Sequence, residues 1–199
     1  MDIIGSGLGI IIVSPLLIIS AILIKITSEG PIIFKQKRMG LGGKEFGMYK
    51  FRTMVINAEE VLMKDPKLLE EYKNNSYKIR NDPRVTTVGK IFRKTSIDEL
   101  PQLLNILTGE MSIVGPRAYK KDEIESQLEI HPELKEKADV VINTKPGLTG
   151  VWQTSGRSEI GFDKRLLMDY EYATKKSILF DIWLIIKTVP AVLKSRGAW

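Results

Sequence analysis

Ile3-Ile-Gly-Ser-Gly-Leu-Gly-Ile-Ile-Ile-Val-Ser14-Pro15-Leu-Leu-Ile-Ile-Ser-Ala-Ile-Leu-Ile24 is a run of 22 residues without a charge. As a helix it would measure roughly 33 Å, enough to cross the hydrocarbon of a bilayer. A secretory leader is a poor reading. Asp2 stands where basic residues belong, and Thr27-Ser28-Glu29-Gly30 is a weak cleavage site. Buried core helices are usually shorter. Ser14-Pro15 interrupts the middle of the run. Proline removes one helical hydrogen bond and clashes with the preceding turn, so a kink is expected, and the Ser14 hydroxyl can satisfy the freed carbonyl. Two geometries follow: a kinked helix that spans, or a sharper break that turns the chain back as a re-entrant hairpin with both ends cytoplasmic. Lys25, Lys35, Lys37 and Arg38 put the C-terminal side in the cytoplasm under either geometry.

The rest of the chain suits one domain. It has 199 residues, with 30 Lys+Arg against 24 Asp+Glu and a net charge of +6. Residues 1–30 read as a membrane segment and 31–199 as a compact cytoplasmic, membrane-associated domain. The absence of cysteine excludes disulfides, thiolate metal sites and thiol nucleophiles. A single histidine, His131, argues against His-rich metal sites and Ser-His chemistry. The basic balance points to an anionic partner.

Pro31–Phe34 and Glu45–Phe51 look like short strands around Gly40-Leu-Gly-Gly43, which predicts a hairpin with a plain glycine turn, since neither GxGxxG nor the Walker spacing is met. Amphipathic helices are expected over 56–72, 87–94, 100–107, 121–140 with a break at His131-Pro132, and 162–172. Residues 73–85 and 143–161 read as loops. The stretch 178–193 suits a helix lying in the membrane interface, with a core helix as the alternative. The expected class is α+β and mostly helical.

Arg93-Lys-Thr-Ser-Ile-Asp98-Glu99-Leu-Pro101-Gln102 is the most informative polar stretch. Ser96-x-x-Glu99 fits a capping box, which would set Asp98 and Glu99 at a helix N-terminus. Adjacent carboxylates beside Arg93 and Lys94 can bind Mg²⁺ and supply an anionic nucleophile, or can serve simply as helix caps. Lys50 and Arg52 share one side of a strand, where they can clamp phosphates or be solvated. Gly115-Pro116-Arg117 is a rigid turn presenting a guanidinium fork, and Arg157 follows on a glycine-rich loop. Scattered cations at turns suit a diphosphate better than a nucleic-acid stripe, and no nucleic-acid motif is present.

Five ordered motifs then resemble the bacterial sugar transferase family, the small membrane-bound phosphoglycosyl transferases. They are Phe34-Lys-Gln-Lys-Arg-x-Gly, Tyr49-Lys-Phe-Arg-Thr-Met54, the Arg93–Gln102 stretch, Met111-Ser-x-Val-Gly-Pro-Arg117 and Lys145-Pro-Gly-Leu-Thr-Gly-x-Trp-Gln153. The resemblance implies transfer of a sugar 1-phosphate from a UDP-sugar to polyprenyl (undecaprenyl) phosphate at the cytoplasmic face of the bacterial inner membrane, releasing UMP. It is the first membrane step of glycoconjugate synthesis. Asp98 would be the nucleophile that forms a phosphosugar-enzyme intermediate, and Glu99, with Asp98, would hold Mg²⁺. Lys50, Arg52, Arg93, Arg117 and Arg157 would meet substrate phosphates. Asp169 and Asp181 match the family's further acidic positions. The likeness also favours the re-entrant geometry at Ser14-Pro15. Where the family usually has a second proline, this chain has Ala118. Direct single-step transfer and a non-catalytic membrane-anchored binding protein are the alternatives. The sugar, the polyprenol length and the oligomeric state, monomer or dimer, are not legible.

Overall fold

A computed structural model of the chain describes residues 1–74, 79, 81–156 and 160–193. Helix α1 runs without interruption from Asp2 to Thr27, through Pro15. The expected rescue is present: Ser14 Oγ donates to the Ile11 carbonyl at 2.8 Å, the acceptor that Pro15 cannot serve. Most of α1 is exposed and apolar, including Ile3, Ile4, Leu8, Ile11, Ile12 and Ile18. It is long and apolar enough to cross a membrane.

One narrow stripe of α1 is covered. Ile10 and Val13 pack on a core of Met48, Leu103, Ile106, Met111 and Ala118. Leu17, Ala21 and Ile24 pack with Phe51 and Phe92. Gly9 lies against Leu103, at the close approach of α1 to helix α5 (Gln102–Leu107). The N-terminal end is held by polar contacts, because Asp2 Oδ1 accepts from Ser112 Oγ at 3.0 Å and from the Ile113 N–H at 3.2 Å.

The hairpin forms as expected and its first strand is longer. Strand β1 (Ile33–Met39) pairs antiparallel with β2 (Glu45–Phe51), joined by the Gly40–Gly43 turn. The single helix expected over 56–72 is two: α2 (Ala58–Lys64) and α3 (Pro66–Asn74). Pro66 disfavours the α conformation at its predecessor, and Asp65 is extended (φ −110°, ψ 101°) with its carboxylate capping the N–H groups of Lys67 and Leu68. Part of the 73–85 segment lies outside the described residues.

Helix α4 (Thr87–Thr95) starts on the Thr86 hydroxyl, which accepts from the Gly89 N–H. It packs so closely on Thr53 that a Cβ at Gly89 would stand 2.1 Å from the Thr53 carbonyl oxygen. After α5 the chain makes β3 (Ser112–Val114), α6 (Lys121–Ile130), a 3₁₀ turn at Pro132–Leu134 and α7 (Lys135–Ile142), with the break at His131-Pro132 as anticipated. The segment 143–161 is not simply a loop. It holds β4 (Gly147–Thr149), parallel to β3, and the short helix α8 (Val151–Ser155). The strands approach where neither Gly115 nor Gly147 carries a side chain: a Cβ on Gly147 would meet the Gly115 nitrogen at 2.0 Å. Such a contact cannot be read from local propensity.

Helices α9 (Phe162–Lys175) and α10 (Ile178–Leu193) complete the domain. The two readings of 178–193 each fit one side of α10. Leu184 is fully buried with Val114 and Tyr172, whereas Ile178, Leu179, Ile182, Trp183, Ile186 and Val189 are exposed.

Arg52 joins α1 to the hairpin. Its Nε donates to the Pro31 carbonyl at 2.6 Å, Nη2 to that of Ser28 at 3.0 Å, and Nη1 to that of Glu29. These carbonyls lie at and just beyond the C-terminal end of α1, where a cation also complements the helix dipole. The guanidinium expected to meet substrate phosphate is therefore engaged by the main chain. Arg52→Lys keeps the charge but loses the fork, and is expected to lower stability by about 2 kcal/mol. A thermal melt of the purified variant checks this, and an unchanged melting temperature would return Arg52 to the candidate phosphate ligands.

Candidate active site

Asp98 and Glu99 lie in a 3₁₀ turn, Ile97–Glu99, between α4 and α5. The capping box expected at Ser96 is not made, since Ser96 makes no side-chain cap hydrogen bond there. Ser96 instead ends α4 in the left-handed conformation (φ 58°, ψ 18°). It is the only non-glycine residue with positive φ among those described. The carboxylate pair follows in the short 3₁₀ turn that leads from α4 to α5. Strained backbone of this kind is characteristic of functional turns.

The two carboxylates differ in environment. Asp98 is only 9% exposed. Burial pushes its carboxyl up to about 6, Lys50 and Arg93 oppose this, and Glu99 reinforces it. Glu99 is more open and is paired with Lys50, Oε1 to Nζ at 2.7 Å. Arg93 is half-buried beside them and donates from Nε to Thr53 Oγ1 at 3.0 Å. The structure thus brings together Lys50, Arg93, Asp98 and Glu99, and takes Arg52 elsewhere.

Glu99 and Lys50 open onto a small, open cleft that is also lined by Arg38, Arg117, Trp152 and Gln153. Arg117 is aimed by Asp169. The Asp169 carboxylate, wholly buried, accepts the Arg117 main-chain N–H (3.1 Å) and the Tyr119 hydroxyl (2.8 Å) on Oδ2. Burial lifts its carboxyl to about 7. Asp169 therefore braces the Gly115-Pro116-Arg117 turn. Ala118 is buried in the core beside Met48 and Met111. Asp181 does a different job: its Oδ1 lies 2.7 Å from the Tyr172 hydroxyl, which also faces the Val114 carbonyl, and this ties α10 to β3. Arg157 lies outside the described residues.

Sequence reading overlooked Arg165 and Glu123. On α9 and α6 they look like solvated helix charges, yet Glu123 is flanked by Arg38 at 3.7 Å and Arg165 at 3.5 Å in the interior. Trp152, quoted only as part of a motif, carries the guanidinium groups of Arg117 and Arg165 within 4.9 and 5.3 Å of its ring centre. Only the juxtaposition of three helices with the turn after β3 reveals them.

No cluster of three or more His, Cys, Asp or Glu side chains able to hold a metal occurs among the described residues. Asp98 and Glu99 nonetheless suit Mg²⁺, which commonly takes one or two carboxylates and completes its shell with water and substrate phosphate oxygens. Lys50 Nζ now provides the positive charge at Glu99.

Comparison with known proteins fits this arrangement. A family model described as bacterial sugar transferase matches residues 1–195. Exopolysaccharide production protein ExoY of Rhizobium meliloti (strain 1021) is 39% identical over all of this chain, which covers 86% of that protein. Undecaprenyl-phosphate galactose phosphotransferase of Salmonella typhimurium is 42% identical over the whole chain, and the chain spans 40% of it. UDP-glucose:undecaprenyl-phosphate glucose-1-phosphate transferase of Escherichia coli (strain K12) is 39% identical, again with 40% of its length spanned. The last two names denote phosphoglycosyl transferases.

The raised Asp98 carboxyl has a stability consequence. The folded state holds the Asp98 proton more tightly than the unfolded state, so ionising Asp98 destabilises the fold. The penalty is absent below the ordinary aspartate range and full above about 6. Asp98→Asn is expected to melt a few degrees higher than the parent at pH 8, with the gap closing towards pH 4; a gap that widens on acidification would contradict this assignment.

Proposed function

The chain belongs to the bacterial sugar transferase family, and from that footing we propose that it transfers a sugar 1-phosphate from a UDP-sugar to a polyprenyl phosphate. The observation that carries the reading is Asp98: a buried carboxyl in the turn that follows the strained Ser96, beside Lys50 and Arg93, next to an arginine-lined cleft.

In the first step, an Asp98 carboxylate oxygen attacks the β-phosphorus of the UDP-sugar. The bond from that phosphorus to the bridging oxygen breaks, UMP departs with the electron pair, and the sugar phosphate remains on Asp98. In the second step, an oxygen of the polyprenyl phosphate attacks the same phosphorus and the aspartyl bond breaks, which regenerates Asp98 and yields a lipid-linked diphosphosugar. Desolvation makes the Asp98 carboxylate a better nucleophile than a hydrated one. Lys50, Arg93 and Arg117 neutralise phosphate charge as it develops. Glu99, with Asp98, would hold Mg²⁺, which when bound supplies further neutralisation of the diphosphate. The two-step route lets one site serve a soluble donor and then a lipid acceptor.

The lipid requirement accounts for α1. Both ends of this helix touch one domain: Asp2 at β3, and the C-terminal carbonyls at Arg52. A spanning helix would separate its two ends by the hydrocarbon thickness, with the domain at one end only. This supports placing both ends of α1 on the cytoplasmic side, as in the re-entrant arrangement, but with the helix continuous through Pro15 rather than turned back as a hairpin, and with its exposed apolar side in lipid. The exposed residues of α10 suit the same membrane surface.

Three outcomes test this reading. Incubating the detergent-purified chain with Mg²⁺ and a panel of UDP-sugars, without acceptor, should add the mass of one sugar phosphate and release UMP, and Asp98→Asn should do neither. UMP release only when polyprenyl phosphate is present, with no adduct, would support direct transfer instead. EDTA should abolish turnover and Mg²⁺ restore it. A tag at residue 1 should be labelled only from the cytoplasmic side; labelling from the other side would overturn the re-entrant arrangement.

A further inference from the structure

Seven buried side-chain polar atoms lack a hydrogen-bond partner among the described residues, and six of them gather in one region. They are Arg38 Nη1, Arg117 Nε, Trp152 Nε1, Gln153 Oε1, Arg165 Nε and Asp169 Oδ1. The contacts already described link them. Arg38 and Arg165 flank Glu123, Arg117 and Arg165 lie over Trp152, and Asp169 holds the Arg117 main chain. Arg38, Arg117, Trp152 and Gln153 also line the cleft onto which Glu99 opens.

Four of the six are N–H donors, and burying a donor without a hydrogen-bond partner is costly, although Arg38 Nη1 is partly offset by Glu123 Oε2 at 3.7 Å. The charge is also one-sided. Arg38 and Arg165 are only 7% and 6% exposed, and both are near Arg117, whose positive charge works against theirs. Burial first and then Arg117 push the Arg38 guanidinium down to about 10. Glu123 offsets one cation, and burial raises the Asp169 carboxyl to about 7, which weakens its counter-charge. Water could fill the donors but would not relieve repulsion among three guanidinium groups; an anion with several oxygens does both.

We propose that Arg38, Arg117, Arg165 and the Trp152 Nε1–H form a subsite for a phosphate monoester, and that its occupant in the reaction is the phosphate of the departing UMP. This assignment rests on the transfer reaction proposed above. Displacement at phosphorus needs the nucleophile and the leaving oxygen in line. With the β-phosphorus at Asp98, the other phosphate of the UDP-sugar lies one bridging oxygen further from Asp98. The electrostatics describe two groups of that kind. Asp98 responds to Lys50, Glu99 and Arg93, whereas Arg38 and Arg165 respond to Arg117 and Glu123; Arg38 also feels Glu99, so the second group adjoins the first. The same chemistry could come from the head of the polyprenyl phosphate. Arg165 and Trp152 stand on α9 and α8, which pack on each other, on α7 and on α10, whereas α1 packs on α4, α5 and β3. Because α10 also borders the membrane surface, this packing does not separate the two sources; the in-line requirement favours the soluble product, and the two titration arms decide.

Calorimetric titration of the full chain in detergent tests the subsite, with UMP in one arm and a short polyprenyl phosphate in the other. Arg165→Met should weaken UMP binding roughly tenfold or more, and Trp152→Phe, which keeps the aromatic ring and removes the donor, by about threefold to tenfold. Asp98→Asn should bind UMP as the parent does. Polyprenyl phosphate binding should be unchanged in both subsite variants. If Arg165→Met does not fold, Trp152→Phe decides alone. Folded variants that bind UMP with parental affinity overturn the subsite, and loss of polyprenyl phosphate affinity instead overturns its assignment to the leaving group. UMP release from UDP-sugar by the parent chain is measured separately. A parent that binds UMP here without turnover sinks the proposed reaction and leaves the phosphate site standing. A parent that turns over while the variants bind UMP normally sinks the subsite alone.

Discussion

The contact of α1 with the domain is the constraint on which the other elements depend. Between its ends this 26-residue helix is apolar apart from Ser6, Ser14 and Ser20, so its covered stripe must meet a largely apolar surface. Leu103 and Ile106 of α5, Phe51 of β2 and Phe92 of α4 supply that surface. The same four residues come from the elements that bracket Lys50, Arg93, Asp98 and Glu99. The apolar contact and the charged site are therefore two faces of one layer. Burial of Asp98 follows from this, because its turn joins two helices that both face α1.

Buried charge is the second organising force. Several charged groups that the fold takes out of water are answered, in different ways. Arg52 is answered by carbonyls at the end of α1, Arg84 by Asp82 in a pair at 2.6 Å, and Glu99 by Lys50. Around Trp152 the answer is incomplete, with three guanidinium groups meeting one well-ionised carboxylate. A fold that answers those charges elsewhere makes this local excess of cation informative. It is the physical complement of an anion with several oxygens.

The legible parts of the sequence were those where local chemistry dominates. Twenty-two uncharged residues admit few structures, and Ser14 stands where the carbonyl freed by Pro15 needs a donor. The strands around the Gly40–Gly43 turn and the break at His131-Pro132 follow from residues within a few positions of one another. Errors arose where a local signal had a distant competitor. Ser96-x-x-Glu99 has the spacing of a capping box, but Ser96 is needed to reverse the chain between α4 and α5. Arg52 shares a strand face with Lys50, yet the end of α1 claims its guanidinium. The segment 143–161 contains a strand whose partner lies more than thirty residues earlier, and its pairing depends on two glycines meeting.

By itself the sequence determined an apolar N-terminal helix, a mostly helical α+β domain with one hairpin, and the neighbouring carboxylates Asp98 and Glu99 among basic turns. These follow from hydrophobic periodicity, proline and glycine stereochemistry, and charge, all properties of residues close in the chain. Tertiary structure alone decided which charges share an environment. It buried Asp98 but left Glu99 facing the cleft, turned Arg52 into a helix cap, made Asp169 the brace of Arg117, and drew Arg38, Arg165 and Glu123 together from three separate elements. The reason is that a carboxyl's ionisation and a guanidinium's partners are set by desolvation and by neighbours within a few ångströms. In this chain those neighbours come from up to a hundred residues or more away.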